Sequence, residues 1–171
     1  METIVDVDVR RTWEIDAKDL VLKDGKWTRP LNKFLGEAAG AMELGGRITA
    51  RPYKLLIYEP GGFFADHQDS EKAPGMFGTL LIGLPSQHGG GEILLDAGGE
   101  ERLTVDFSAD DAMGFPTVAF VADRHHEIRP VTEGYRVVLV YNLFHAAWPA
   151  CWQASGGPWK ITPGQSCKVR R

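Results

Sequence analysis

Hydrophobic and polar positions along this chain follow one rule before Gly46, another after it, and none beyond Leu143. Leu31, Phe34, Leu35, Ala38, Ala39 and Met42 recur at three- and four-residue intervals, which gathers them on one face of a predicted helix starting near Arg29. Gly45-Gly46 is expected to stop this helix, which reads as scaffold packed on a sheet. Ahead of it, WEIDAKDLVLKDGKWT reads as a short hairpin with Asp24-Gly25 at its turn. Past Gly46 come short β-rich segments separated by Gly, Pro and Asp: ITARPYKLLIYE, FGTLLIGLP, GGEILLDAG, RLTVDFS, TVAFVAD, HEIRPV and YRVVLVYNLF. Seven such segments with no helical pattern between them predict an antiparallel sandwich or barrel of the jelly-roll kind. The expected class is mainly β with one or two flanking helices. The expected layout is an N-terminal segment with the supporting helix over 1–46, a β core over 47–145 and an irregular tail over 146–171. That tail holds three of the five tryptophans and is expected to lie across the barrel as a cover.

Composition narrows the picture. At 171 residues and 43% hydrophobic, the chain can bury one core and reads as one domain. A formal charge of −4 gives no broad basic surface for phosphates, so nucleic acid is not an expected partner. No run reaches the roughly 18 apolar residues of a membrane span, and the first residues carry acids where a signal peptide would be apolar. The expectation is a cytoplasmic protein with no membrane partner. Its two cysteines, Cys151 and Cys167, read as free thiols.

The chemistry lies in three widely spaced units. His67-Gln68-Asp69 follows a strand and the turn-like Pro60-Gly61-Gly62, and in extended chain residues i and i+2 face the same side, so imidazole and carboxylate can reach one point. His126, at the start of another segment, can supply a second imidazole. Two imidazoles and one carboxylate leave metal positions open, an arrangement associated with Fe(II) oxygenases, with zinc as the competitor. His125 is the rival ligand; on a strand the two rings face opposite sides, so only one points inward.

Arg136 is the third unit. If His126 to Val131 and Tyr135 to Val140 form a hairpin closed by Thr132-Glu133-Gly134, then Pro130 pairs with Arg136 and His126 with Val140. His126 and Arg136 would then share a face, offset by ~13 Å at ~3.3 Å per residue. A five-carbon diacid bound to metal at one end and to a guanidinium at the other would span that gap. A planar guanidinium suits the task because it binds a carboxylate bidentately and stays charged when buried.

The stretches YKLLIYEPGGFFADHQDSEKAPGMFGTLLIGLP, GGGEILL and AFVADRHHEIRPVTEGYRVVLVYNL resemble the iron(II)/2-oxoglutarate dioxygenase superfamily, and within it the prolyl 4-hydroxylase-like domains. The resemblance covers about residues 50 to 144. It implies a double-stranded β-helix (jelly roll, cupin-like), with His67, Asp69 and His126 on the iron-ligand positions. It puts Arg136 on the basic position that pairs with the far carboxylate of 2-oxoglutarate, where collagen-type relatives usually have lysine. Tyr58 matches a tyrosine lining the co-substrate pocket, and Thr79 is a further candidate there. The implied cofactors are Fe(II), 2-oxoglutarate and dioxygen, with ascorbate a candidate addition. The implied reaction hydroxylates an unactivated C–H bond, giving succinate and carbon dioxide.

A peptidyl proline or similar residue is the first expected substrate, and a small molecule or free amino acid the second. The nucleic-acid demethylating branch carries a second arginine six residues after the first, where this chain has Asn142. A metal-binding jelly roll without oxygenase activity is the reading from a different class. Among other polar groups, His88 reads as a solvated loop residue, His145 as lying at the edge of the core, and Asp110-Asp111 as a charged turn. Glu127 is expected to point away from the metal. Asp123 and Arg124 are candidates for hydrogen bonds around it.

Overall fold

The computed structural model describes residues 8–22, 25–44, 47–96, 98, 102–108 and 114–145. The tail after His145, with both cysteines, lies outside them, as do Asp24, Gly45-Gly46 and Asp110-Asp111. The chain opens with β1 (Arg10–Arg11) and β2 (Trp13–Asp16), followed by the helix α1 (Thr28–Ala41). Five strands follow: β3 (Ile48–Tyr58), β4 (Phe63–His67), β5 (Met76–Gly83), β6 (His88–Gly90) and β7 (Ile93–Asp96). The last five are β8 (Arg102–Val105), β9 (Thr117–Val121), β10 (His126–Ile128), β11 (Val131–Gly134) and β12 (Arg136–His145). The pairing is antiparallel throughout, in one five-stranded sheet ordered β1-β4-β10-β7-β8 and another ordered β2-β3-β12-β5-β9, with β11 and β6 forming a separate pair. This is the jelly-roll-like architecture the segment pattern predicts. No helix among the described residues is long and apolar enough to cross a membrane.

Two apolar clusters show how the layers stack. Ile93, Leu95, Val105 and Ile128 from the first sheet meet Tyr58, Leu81, Val118, Phe120, Val138 and Val140 from the second, filling the space between them. The opposite side chains of β12, Leu139, Tyr141 and Leu143, join Leu80 and Ile82 of β5 against Leu35, Ala38 and Met42 of the helical region. The second sheet is therefore covered on both faces, which is why all eight residues of β5 are buried and its sequence reads as a continuous apolar run. Period-two alternation along β12 places Arg136 on the inward face with Val138 and Val140. On β3 the same alternation places Lys54 with Leu56 and Tyr58.

Three local expectations are corrected. The helix ends before Gly45: Glu43 takes the left-handed conformation (φ 53°), while the amides of Leu44 and Glu43 donate to the carbonyls of Ala39 and Gly40, a Schellman closure that caps the last turn. Residues 13–16 do not form a local hairpin, because β2 pairs with β3 and the chain after it passes through 3-10 segments at Ala17–Asp19 and Gly25–Trp27 before α1. The hairpin expected between His126 and Val140 is absent as well. Both sides of β10 are taken by β4 and β7, leaving no edge for β12, which pairs with β3 and β5 instead. Pro130, which lacks an amide proton, stands between β10 and β11, and Thr132-Glu133-Gly134 belongs to β11 rather than to a turn.

Candidate metal and co-substrate site

The loss of that hairpin does not separate His126 from Arg136. They sit on opposing sheets, both side chains pointing into the space between, and both line one cavity of about 220 Å³. A β-bulge shapes its first wall. His126 pairs with His67 and Ile128 with Phe64, so β4 spends three residues where β10 spends two. Strict alternation would turn Phe64 and His67 to opposite faces; the extra residue lets both line the cavity while Asp66 faces outward. On that outer face Asp66 accepts from His125 Nδ1 (2.8 Å) and from Arg102 Nη2 (2.7 Å), so the rival histidine points away, as does Glu127, which lies 3.6 Å from Arg102. Burial, the largest single influence, raises the Asp66 carboxyl pKa, but His125 and Arg102 together outweigh it and hold it below the usual value.

His67, Asp69 and His126 each offer a ligand atom, and these atoms lie within 4.8 Å of one another. His67 Nδ1 is 2.8 Å from the Ala65 carbonyl and His126 Nδ1 is 3.0 Å from the Arg124 carbonyl. A carbonyl only accepts, so each Nδ1 must donate, which leaves each Nε2 lone pair free for a metal. Burial, helped by the neighbouring His126, pulls the His67 pKa down to about 4, so the ring is neutral at ordinary pH, as ligation requires. Thr79 Oγ1 donates to Asp69 Oδ2 at 2.5 Å, leaving Oδ1 the freer oxygen. Gln68 Nε2 ties the same loop to the Asp123 carbonyl at 2.5 Å. Asp123 and Arg124 thus meet the site through their backbone carbonyls. The donor set and its free lone pairs fit a divalent ion such as Fe(II) or Zn(II).

The other end of the cavity is built differently. Arg136 is 1% exposed, and its Nε and Nη2 have no hydrogen-bond partner. Its guanidinium lies over two aromatic faces, 5.3 Å from the Tyr58 ring and 5.1 Å from that of Phe107. Tyr58 is its direct cross-strand partner and is equally buried, and that burial raises the phenol pKa despite the opposing pull of Arg136. A desolvated guanidinium without a carboxylate is costly, and an anionic ligand would satisfy it. Gly91 (φ 74°) makes room: a Cβ there would stand 2.8 Å from Arg136 Cδ.

All six residues singled out in the sequence line this cavity: His67, Asp69, His126, Arg136, Tyr58 and Thr79. Thr79 does more than line it, since its hydroxyl holds Asp69. Missed were Phe64, Phe107, Arg10 and Lys54. The inward parity of Lys54 with Tyr58 was a usable signal, whereas the packing of Phe107 on Arg136 left none. His88 departs from its expected solvated loop: it is half-buried in β6, its Nδ1 3.0 Å from the Ser86 carbonyl and its Nε2 buried without a hydrogen-bond partner, because β6 pairs with β11.

No protein-family model and no curated protein matches the chain. Solved structures do match. An oxidoreductase of the 2OG-Fe(II) oxygenase family from Burkholderia pseudomallei superposes with a TM-score of 0.51 at 21% identity, over 72% of this chain and 53% of that one. A Pseudomonas putida prolyl-4-hydroxylase gives 0.56 at 17% identity, over 81% and 74%. A Trichoplax adhaerens prolyl hydroxylase, in complex with a hypoxia inducible factor oxygen degradation domain peptide fragment, gives 0.55 at 16% identity, over 80% and 64%. The chain therefore spans about half the length of the first of these proteins. Its fold is the one that these oxygenases and prolyl hydroxylases share.

Proposed function

We propose that this protein is an Fe(II)- and 2-oxoglutarate-dependent oxygenase that hydroxylates an unactivated C–H bond, most simply that of a prolyl or similar residue. One observation carries the reading: a fully buried, unpartnered guanidinium shares a cavity with a two-histidine, one-carboxylate cluster. His67, Asp69 and His126 would hold the metal. Arg136, steadied between Tyr58 and Phe107, would pair with the far carboxylate of 2-oxoglutarate, and Leu81, Val138 and Val140 would keep water from the space between. When bound, Fe(II) with 2-oxoglutarate and dioxygen supplies the hard chemistry: one oxygen atom goes into the C–H bond, the other into succinate, and carbon dioxide leaves. Ascorbate would act only to keep the iron ferrous.

The fold shared with prolyl hydroxylases supports a prolyl substrate. A small molecule or free amino acid is the second reading, favoured by a cavity of about 220 Å³ that the co-substrate must also share, below the ~300 Å³ at which ordinary ligand pockets begin. Anaerobic addition of Fe(II) and 2-oxoglutarate should give a weak visible charge-transfer band, and aerobic addition should yield succinate. Asp69→Ala should abolish both and weaken metal affinity by more than about 100-fold, since even supporting groups around a metal are worth ~10–100-fold. A folded wild-type protein that binds neither iron nor 2-oxoglutarate would refute the assignment.

A further inference from the structure

The cavity mouth has a charge balance that the proposed chemistry does not use. Arg10, Lys54, Lys72 and Arg136 line the cavity, while Asp69 is the only carboxylate among the described residues that line it. A divalent metal and a 2-oxoglutarate dianion would cancel one another, so the filled site would keep whatever excess the protein itself supplies. Glu14, just behind the wall, ion-pairs with both Arg10 and Lys54 and cannot neutralise two cations. With Asp106, whose charge acts on Arg136 from outside the lining, four side-chain cations thus face three carboxylates among the described residues, in a chain whose formal charge is −4.

Arg10 and Lys54 are held in place rather than waving in solvent. The side chains of Arg10, Lys54 and Glu14 are each only about one-fifth exposed, at 19–21%. Arg10 lies over the Phe64 ring at 4.9 Å, and Phe64 stacks on His67 with centroids 3.5 Å apart, which places the guanidinium one aromatic layer from a candidate metal ligand. Lys54 is braced against Tyr53, 5.1 Å from its ring centroid. Lys72, in the loop after Asp69, has its ammonium on the Ser70 hydroxyl at 2.6 Å, a neutral partner that leaves its charge uncompensated. Partly desolvated, braced cations bind carboxylates well because little side-chain entropy remains to be lost, and a low-dielectric cleft of one sign concentrates ions of the other.

We infer that the substrate of this site carries a carboxylate near the carbon that is oxidised, and that Arg10, with Lys54 beside it, receives that carboxylate at the cavity mouth. The inference rests on the oxygenase reading above and adds the substrate class to it. The carboxylate can come from a free small acid or from an acidic side chain of a peptide.

Binding can be read without turnover by loading the protein with Zn(II), which has no redox chemistry, and 2-oxoglutarate. Calorimetric titration would then compare a panel of N-acetyl amino acids with their primary amides, and capped Glu-Pro dipeptides with their Gln-Pro counterparts. At least one acid should bind about tenfold more tightly than its neutral twin, a preference that shrinks at about 0.5 M salt. Arg10→Gln should remove most of that preference while leaving the affinity of the neutral twin unchanged. Lys54→Gln should reduce it and serves in its place if the first variant does not fold. A preference confined to the N-acetyl series assigns a free acid, and one confined to the dipeptides assigns a peptide. Equal affinities across all pairs, or no acid bound at all, would overturn the inference while the metal reading stood. Failure of Zn(II) and 2-oxoglutarate to bind would sink the metal reading itself.

Discussion

The two ends of the cavity answer the same problem, polar groups inside an apolar sandwich, in opposite ways. At the candidate metal end each polar side chain has at least one partner within the chain: His67 and His126 donate to backbone carbonyls, Asp69 accepts from Thr79, and Gln68 anchors the loop. At the other end Arg136 has the faces of Tyr58 and Phe107 and the more distant charge of Asp106, but no hydrogen-bond partner for Nε or Nη2. The first end is organised within the chain, while the second holds a buried cation that the proposed co-substrate anion would complete. Burying an unpaired charge costs several kcal/mol even after relaxation, so the fold carries a standing penalty at Arg136 that has no counterpart around His67. Stability and ligand binding should therefore respond in opposite directions at Arg136 and nearly independently at the metal end.

Arg136→Met gives the largest separation. Removing the guanidinium should weaken 2-oxoglutarate by ~2–5 kcal/mol, or about 30-fold to several thousand-fold, as for truncating one partner of a buried charge pair. The ligand-free protein should become more stable by ~1 kcal/mol or more, because a methionine fills the slot without a desolvated charge. Calorimetric titration of 2-oxoglutarate and thermal melts of ligand-free protein measure the two halves. A lower melting temperature would mean that the cation–π contacts outweigh desolvation, and the contrast between the ends would collapse.

A smaller effect is expected at the hydroxyl that holds Asp69. Thr79→Val keeps the shape of the buried side chain and deletes the 2.5 Å hydrogen bond, so the carboxylate loses its fixed rotamer. Metal affinity should fall by ~10-fold, the lower range for supporting groups, and Thr79→Ser should restore most of it. Equal loss in both variants would assign Thr79 to packing alone. Gly91→Ala probes the opposite end: its Cβ would meet Arg136 Cδ at 2.8 Å from a backbone at φ 74°. Strain of about 1 kcal/mol and a displaced guanidinium should weaken 2-oxoglutarate several-fold and leave metal affinity alone.

The same contrast explains what could be read from the sequence. The seven β segments were legible because β3, β5 and β12 are long and apolar and their neighbours alternate. Strands β1, β6 and β11 were not, being two to four residues long and polar or glycine-rich, and held by partners far away in sequence; β2 was read as part of a hairpin with the wrong partner, and β4, which carries His67, was not among the segments. His67, Asp69, His126 and Arg136 stood out by residue type and order. The route by which they meet did not. A local hairpin was the simplest way to bring His126 and Arg136 to one cavity, yet the chain does it across two sheets, through pairings of β12 with residues about eighty positions earlier in β3. Nothing in local pattern encodes such a register, nor the bulge in β4 that turns Phe64 and His67 to one side.

A further effect is a pH dependence that should exist at one end only. Burial first, and His126 second, depress the His67 pKa from 6.5 to about 4, against the raising influence of the Ala65 carbonyl and Asp69. In the metal-free protein the unfolded chain then takes up this proton before the folded one does, so His67 should make stability fall as pH drops from 6.5 toward 4 and add no further slope below that. Denaturant titrations across this window should show His67→Gln with a flatter decline than wild type, by at most one bound proton. Arg136 adds nothing in the same range, because a guanidinium keeps its charge there even though burial lowers its pKa. Equal slopes for His67→Gln and wild type would mean that the ring is solvated enough to protonate normally, and that the metal end is less enclosed than the Arg136 end by more than its hydrogen bonds suggest.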